Sequence, residues 1–151
     1  MSEHILNPTR EDWPATQTIT IPIPANEWIT SNDRYTRYPK AGRVKALRDR
    51  AKMLARNHLH PVTGPVHLAV EAHYRTGRGL DDDNCQPTVK ALKDGLTDAG
   101  IWADDDGKHI VATTYLRSRR DPTLPVGWHA IRFIITDQAI PWMEETRREN
   151  H

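Results

Sequence analysis

Two runs of aspartate are the residues of this chain best suited to chemistry. Asp81, Asp82 and Asp83 stand in succession before Asn84, and a second run covers residues 104–106. In an extended segment Asp81 and Asp83 point to the same side, because side chains alternate with a period of two. Two carboxylates at such a short distance repel each other unless a cation lies between them. Mg²⁺ takes oxygen ligands in an octahedron, so two or three aspartates together with phosphate oxygens would satisfy it.

The aspartate runs also have other interpretations. Aspartates are common at helix N-termini, where they cap the first turn and face the positive end of the helix dipole. That role accounts for one or two of them, but not for three in a row followed by three more beyond the next predicted helix. An EF-hand calcium loop is a further alternative, although neither run has its alternating oxygens, central glycine and terminal glutamate.

Lys90 and Asp94 lie between the two runs and share one face of a predicted helix, since they are four residues apart. A lysine beside carboxylates and a metal can hold a phosphate oxygen or stabilise charge that develops in the transition state. The alternative is an ordinary surface ion pair.

Charge is unevenly distributed, although the formal net charge is only +1. Residues 34–56 carry nine basic side chains against Asp49 alone, and residues 81–106 carry eight aspartates against Lys90 and Lys93. Blocks of opposite sign suggest a basic surface for a polyanion and an acidic pocket for cations. The alternative is two solvated faces that neutralise each other.

The composition favours one globular domain. A chain of 151 residues can bury a real core, and 37% hydrophobic and 27% charged residues are within the range of such proteins. The sequence shows no apolar run long enough to cross a bilayer and no secretory signal pattern, so we expect no membrane partner. Cys85 is the only cysteine, which fits a reducing, cytoplasmic setting and excludes zinc sites built from cysteine pairs.

Hydrophobic periodicity predicts the elements that position these residues. Alternating patterns predict strands over residues 17–23, 66–74, 108–116 and 128–136. Helical spacing predicts helices over residues 42–58 and 87–99, with Pro87 in the first turn of the second helix and Gly100 at its C-terminal cap. Pro22 predicts that the first strand either lies at an edge of the sheet or stops pairing there.

The order β-α-β-α-β-β predicts an α/β (α+β) fold: a single compact domain in which a mixed four-stranded sheet packs with two main helices. We expect this domain to cover residues 17–136. Residues 1–16 are predicted to be a flexible N-terminal tail, and residues 137–151 a C-terminal tail or short helix.

The acidic pattern as a whole resembles a known family. Asp81-Asp-Asp-Asn84, Pro87-Thr-Val-Lys90-Ala-Leu-Lys-Asp94, Asp98-Ala-Gly-Ile-Trp102 and Asp104-Asp-Asp106 resemble the RusA-type Holliday-junction resolvases, or crossover junction endodeoxyribonucleases, of the phage and actinobacterial branch. Ser31-Asn-Asp-Arg-Tyr35 is similar to the family segment that precedes the first helix. The resemblance extends over residues 17–136.

The resemblance implies a RusA-like fold and a small homodimer that cuts four-way DNA junctions symmetrically with Mg²⁺, or with Mn²⁺ as an alternative. The metal-ligand positions of the family fall on Asp81, Asp83 and Asp105, with Asp104 as an alternate. The helix lysine falls on Lys90, which joins Asp81, Asp83 and Asp105 as a catalytic residue. Asn84 and Asp94 would support the ligands, Asp94 by orienting Lys90 or a metal-bound water.

DNA contacts are expected from the basic block, with salt-dependent affinity, and from aromatic side chains that stack at the open centre of a junction. A second basic cluster, Arg117, Arg119 and Arg120, follows the third predicted strand and would meet another arm. The residues predicted to contact DNA are Asn32, Arg34, Tyr35, Arg37, Lys40, Arg43, Lys45, Arg48, Lys52, Arg117 and Arg119.

Two other functions stay open from the sequence: a branched-DNA-binding protein without catalysis, and a nuclease for flaps or replication forks. The expected location is the cytoplasm of a bacterial host cell or its nucleoid. The expected process is DNA recombination or repair. Among the eight histidines, only His109 lies beside the second aspartate run.

Overall fold

The computed structural model describes residues 15–31, 40–76, 85–104 and 106–137. The described elements, in chain order, are strand β1 (Ala15–Ile23), helix α1 (Lys40–His58), strand β2 (Val66–Tyr74), helix α2 (Gln86–Asp98) and strands β3 (Ile110–Tyr115), β4 (Arg119–Arg120) and β5 (His129–Asp137). The order predicted from periodicity is confirmed, and the bounds of the predicted elements differ from the observed ones by at most two residues.

The strands form one mixed sheet in the order β1-β5-β2-β3, with β4 also beside β2. Strand β5 is antiparallel to β1 and to β2, whereas β3 and β4 are parallel to β2. Pro22 lies in β1 at the edge of the described sheet, which is one of the two predicted outcomes, and the pairing with β5 continues past it to Ile23. The sheet has one strand more than predicted, because the chain leaves β2 after Tyr115 and pairs with it again at Arg119 and Arg120.

Helices α1 and α2 lie side by side on one face of the sheet. Alternate side chains of the strands point to this face, and Ile21, Leu68 and Phe133 are fully buried there. Along α1 every fourth residue is buried, at Arg43, Leu47, Ala51 and Ala55. Along α2 the apolar residues Val89, Leu92 and Leu96, which recur at helical spacing, are buried in the same core.

A glycine sets the distance between the two helices. A Cβ added to Gly95 would lie 2.4 Å from the Arg48 carbonyl oxygen and 2.7 Å from Ala51 Cβ. The backbone of α1 therefore occupies the space that any other side chain at residue 95 would need. Arg48 then forms a bidentate ion pair with Asp98, at 2.9 and 3.1 Å, which joins the helices further along.

The pairing registers place two strand ends and two helix starts at one end of the domain. Ile23 of β1 and Tyr74 of β2 are both opposite His129 of β5, so the two strands end together. Arg43 and Thr88, in the first turns of α1 and α2, both contact the turn that follows β1. We call this the site end. At the opposite end, Ile110 of β3 is paired with Val66 of β2.

Candidate nucleic-acid interface and metal site

Two segments that carry predicted site residues are both attached at the site end. Residues 32–39 connect Ser31 to the start of α1, and residues 77–84 connect Thr76 to Cys85 at the start of α2. The predicted site residues that lie outside the described ranges are Asn32, Arg34, Tyr35, Arg37, Asp81, Asp83, Asn84 and Asp105. The structure therefore shows where these segments begin and end.

Three rings pack together where these segments begin. Trp28 and Tyr74 meet edge to face with ring centroids 5.6 Å apart, and His129 lies 4.6 Å from Trp28 and 5.1 Å from Tyr74. Burial lowers the pKa of His129, which keeps the imidazole neutral between the two aromatic rings. Because Trp28 and Tyr74 stand shortly before residues 32–39 and 77–84, this packing fixes the chain just ahead of both segments.

Buried hydrogen bonds attach both helix starts to the turn after β1. Arg43 Nη1 donates to the Trp28 carbonyl at 3.0 Å. The Thr88 hydroxyl accepts from the Ile29 amide and donates to its carbonyl, both at 2.8 Å. Thr88 is not among the site residues predicted from the sequence. Arg43 is predicted to contact DNA, but the structure shows that it is buried. The signal for Arg43 is its four-residue spacing from buried Leu47, which places it on the inner stripe of α1.

A basic cleft opens between these anchored parts. It has a volume of about 480 Å³ and is bounded by the turn after β1, the starts of both helices and the end of β3. Three of its lining side chains are lysines, at positions 40, 90 and 93, and the others are Ser31, Gln86, Pro87, Val89 and Tyr115. Three ammonium groups around one concave surface favour an anionic ligand such as a phosphate backbone.

Of the residues that line this cleft, Lys90 is the one predicted from the sequence to be catalytic. Its side chain is 76% exposed, and Nζ lies 3.9 Å from Asp94 Oδ2. That separation is longer than a hydrogen bond, so Asp94 attracts the ammonium without taking one of its donors in a close contact. The predicted pair of Lys90 and Asp94 on one helix face is therefore present, with the ammonium directed to the surface.

The basic side chains of α1 have different environments. Lys40 lines the lysine cleft and also a neighbouring cleft of about 540 Å³ that Lys45 and Arg48 share. Lys45 is exposed and pairs with Asp49 at 2.6 Å. Arg48 pairs with Asp98, whose hydrogen bond raises the pKa of Arg48, while the same bond lowers the pKa of Asp98. Lys52 lies further along α1, beside a third shallow cleft.

The second basic cluster lies on the sheet beside the end of β2. Arg119 and Arg120 of β4 are paired with His73 and Tyr74, and both arginines are exposed. Arg117, just before them, is exposed as well. This places predicted DNA contacts from two separate parts of the chain at the site end.

The second aspartate run follows the C-terminal end of α2, before β3. Gly100, with a φ of +79°, ends the helix, and the Ile101 amide and the Trp102 indole then bond to Leu96 and Thr97 of its last turn. A helix of 13 residues is about 20 Å long, and this length separates Cys85 from the turn that leads to Asp104. Asp104 itself is exposed.

Asp106 is engaged within its own turn. Its Oδ1 accepts hydrogen bonds from His109 Nδ1 at 2.6 Å and from the Lys108 amide at 3.0 Å. The bond from the His109 side chain is the main reason that the pKa of Asp106 is lowered. His109, the histidine closest in sequence to the acidic run, is therefore a partner of Asp106 in this turn.

Among residues 15–31, 40–76, 85–104 and 106–137, no three acidic, histidine or cysteine side chains come together as metal ligands. The ligands expected from the sequence include Asp81, Asp83 and Asp105, which those ranges leave out. The metal site therefore stays a prediction. In the same part of the chain, no helix has both the length and the apolar character needed to cross a membrane.

Comparison with known proteins identifies relatives of one kind. Crossover junction endodeoxyribonuclease RusA of Escherichia coli (strain K12) is 36% identical over 98 residues, which cover 60% of this chain and 74% of the relative. The protein of the same name from Shigella sonnei (strain Ss046) gives the same values. Crossover junction endodeoxyribonuclease rusA of Enterobacteria phage 82 is 35% identical over 95 residues, or 58% of this chain and 72% of the phage protein. No protein-family model matches the chain.

Proposed function

Because this chain belongs to the RusA family of crossover junction endodeoxyribonucleases, we propose that it hydrolyses phosphodiester bonds in four-way (Holliday) DNA junctions with Mg²⁺. The observation that carries this proposal is the cleft with Lys40, Lys90 and Lys93, which lies where residues 32–39 and residues 77–84 are attached to the domain. A phosphate backbone in this cleft would lie beside the ends of the aspartate segment.

Asp81, Asp83 and Asp105 are the proposed metal ligands, with Asp104 as an alternate. Carboxylate oxygens suit Mg²⁺, and Mn²⁺ accepts the same donors. These aspartates would hold the ion where it would lower the pKa of the attacking water and stabilise the leaving oxygen. The exposed Lys90 ammonium holds a non-bridging phosphate oxygen and stabilises the charge that grows on it. Asp94 orients Lys90, and Asn84 supports the carboxylates.

The proposed DNA surface extends from the lysine cleft in two directions. Lys40 and Lys45 continue it along α1, and Arg117 and Arg119 continue it across the sheet. Lys52 would extend it further along α1, and Arg48 adds to the field of this surface although its guanidinium is paired with Asp98. Asn32, Arg34, Tyr35 and Arg37 would contact the junction from the segment between these parts. Phosphate contacts of this kind fix the position of DNA without reading its sequence.

A homodimer suits this function, since a four-way junction has near two-fold symmetry and needs paired incisions. The structure adds a reason for a second subunit. Within one chain, the two aspartate segments are attached at opposite ends of α2. In a two-fold dimer, the first segment of one subunit can meet the second segment of the other. We propose action on chromosomal or phage DNA in the bacterial cytoplasm, in recombination or repair.

The test compares substrates and metals in one set of reactions. The protein is incubated with a synthetic four-way junction, a replication fork, a flap and a linear duplex of the same sequence, each with Mg²⁺, Mn²⁺ or EDTA. We expect symmetric incision of the junction that depends on the metal. Equal or faster cutting of forks or flaps would show that the preferred substrate is a fork or a flap. Tight junction binding without any cutting would show that the chain is a DNA-binding protein without catalysis.

A further inference from the structure

One buried contact joins two walls of the lysine cleft. Thr88 in α2 and Ile29 in the turn after β1 are 59 residues apart in sequence, and both are buried. The Thr88 hydroxyl uses its acceptor on the Ile29 amide and its donor on the Ile29 carbonyl. A buried hydroxyl that bonds twice to one residue fixes the two backbones in both distance and orientation.

The residues next to this contact belong to the proposed site. Ser31 follows Ile29 by two residues and lines the cleft, and Lys90 follows Thr88 by two residues and lines it from α2. Residues 32–39 continue from Ser31, while residues 77–84 are followed by Cys85, three residues before Thr88. A shift of α2 against Ile29 would therefore move Lys90 and the attachment of the acidic segment relative to the DNA-contacting segment.

Arg43 of α1 holds the backbone of Trp28, the residue before Ile29. Its Nη1 donates to the Trp28 carbonyl at 3.0 Å in a buried contact. The start of α1 is thus attached to Trp28 and the start of α2 to the next residue, Ile29. Arg43 is only 6% exposed, which leaves little of its guanidinium for a phosphate.

We propose that Thr88 and Arg43 are positioning residues of the nuclease, which hold the DNA-contacting side of the cleft in register with the side that carries Lys90. This inference rests on the proposed nuclease function. A displacement of about 1 Å between reacting groups costs about 100-fold in rate, so loss of this register slows the chemical step. Both side chains are buried and bonded to the turn after β1, so we expect neither to contact the DNA directly and the affinity for the junction to change little without them.

The test separates the rate of cutting from the strength of binding. Single-turnover cleavage of a four-way junction in Mg²⁺ and junction binding in Ca²⁺ are measured well below the melting temperature. Thr88→Val keeps the shape of the side chain but loses both hydrogen bonds, and we expect it to cut about 10- to 100-fold more slowly with an unchanged Kd. Thr88→Ser keeps the hydroxyl and should restore the rate.

Two further variants complete the test. Ile135→Ala removes buried volume in β5, near the opposite end of the sheet, and should lower stability without slowing the cut. Arg43→Met should slow cutting with an unchanged Kd and salt dependence, whereas a DNA contact at Arg43 would instead weaken binding and flatten its salt dependence.

Several outcomes would overturn the inference while wild type still cuts. Cutting at the wild-type rate by both Thr88→Val and Arg43→Met would contradict it, as would Thr88→Ser and Ile135→Ala that are both as slow as Thr88→Val. A wild-type protein that fails to cut junctions would refute the proposed function, and the inference with it.

Discussion

At the scale of the residue, the chemistry expected of a side chain depends on its surroundings. Arg43 and Lys45 come from the same basic block, but Arg43 is buried and bonded to Trp28, whereas Lys45 is exposed. The sequence shows that both are cationic, and the difference follows from which face of α1 packs on the core. Thr88 could not be singled out, since a threonine within an apolar stripe has no signature until its partner, the Ile29 backbone, is known.

A pair of matched lysines tests the catalytic role of Lys90. Lys90 and Lys45 are similarly exposed, at 76% and 78%, and each faces an aspartate four residues later. We expect Lys90→Met to slow junction cleavage about 100- to 1000-fold, the usual cost of losing one donor to a developing charge. Lys45→Met should weaken binding, most clearly at low salt, but should leave the rate at saturating enzyme unchanged.

The measurement is single-turnover cleavage over a range of enzyme concentrations, which separates the maximal rate from the affinity. An equal loss of maximal rate in both variants would contradict a special role for Lys90.

At the scale of the element, hydrophobic periodicity predicted the helices and the long strands, because one face of each packs on the core. It could not predict β4, since two residues contain no period, nor that β5 lies between β1 and β2, since pairing partners are far apart in sequence. The aspartate segment was placed between a strand and a helix correctly, between β2 and α2. A meeting of this segment with the second run could not be derived from the sequence, because a helix separates the two, and it stays a prediction.

The close packing of the helices gives a prediction about Gly95. Gly95→Ala places a methyl group against the Arg48 carbonyl, a backbone atom that cannot turn away, and we expect a loss of about 1–3 kcal/mol of unfolding free energy. Gly42→Ala, in α1 with no atom near its Cβ position, should gain about 0.5–1 kcal/mol. Urea denaturation of the two variants checks both signs, and a neutral Gly95→Ala would contradict the observed helix spacing.

The ion pair between the helices makes stability depend on pH. The hydrogen bond from Arg48 lowers the pKa of Asp98 in the folded state. A lowered folded-state pKa means that the stabilisation is present above the unfolded pKa of about 3.9 and is lost as the pH falls through the folded value. Asp98→Asn should therefore lower the melting temperature at pH 7, and this difference should shrink below about pH 4. A difference that persists undiminished in acid would exclude the charge as its cause.

At the scale of the whole molecule, the helix α2 between the two acidic segments makes the subunit arrangement testable. If each metal site combines Asp83 of one subunit with Asp105 of the other, a heterodimer of Asp83→Asn and Asp105→Asn subunits keeps one intact site. We expect each variant alone to be inactive and their mixture, after subunit exchange, to nick junctions. A mixture as inactive as its components would show that each subunit holds a complete site.

The proposed function depends above all on aspartates of this chain that hold a metal ion for the cleavage of junction DNA. Its most direct test is single-turnover cleavage of a four-way junction in Mg²⁺ by wild type and Asp83→Asn, at enzyme concentrations where binding measurements show both to be saturated. We expect symmetric incision by the wild type and none by the variant, with junction binding largely intact. Cleavage by Asp83→Asn at the wild-type rate would contradict it.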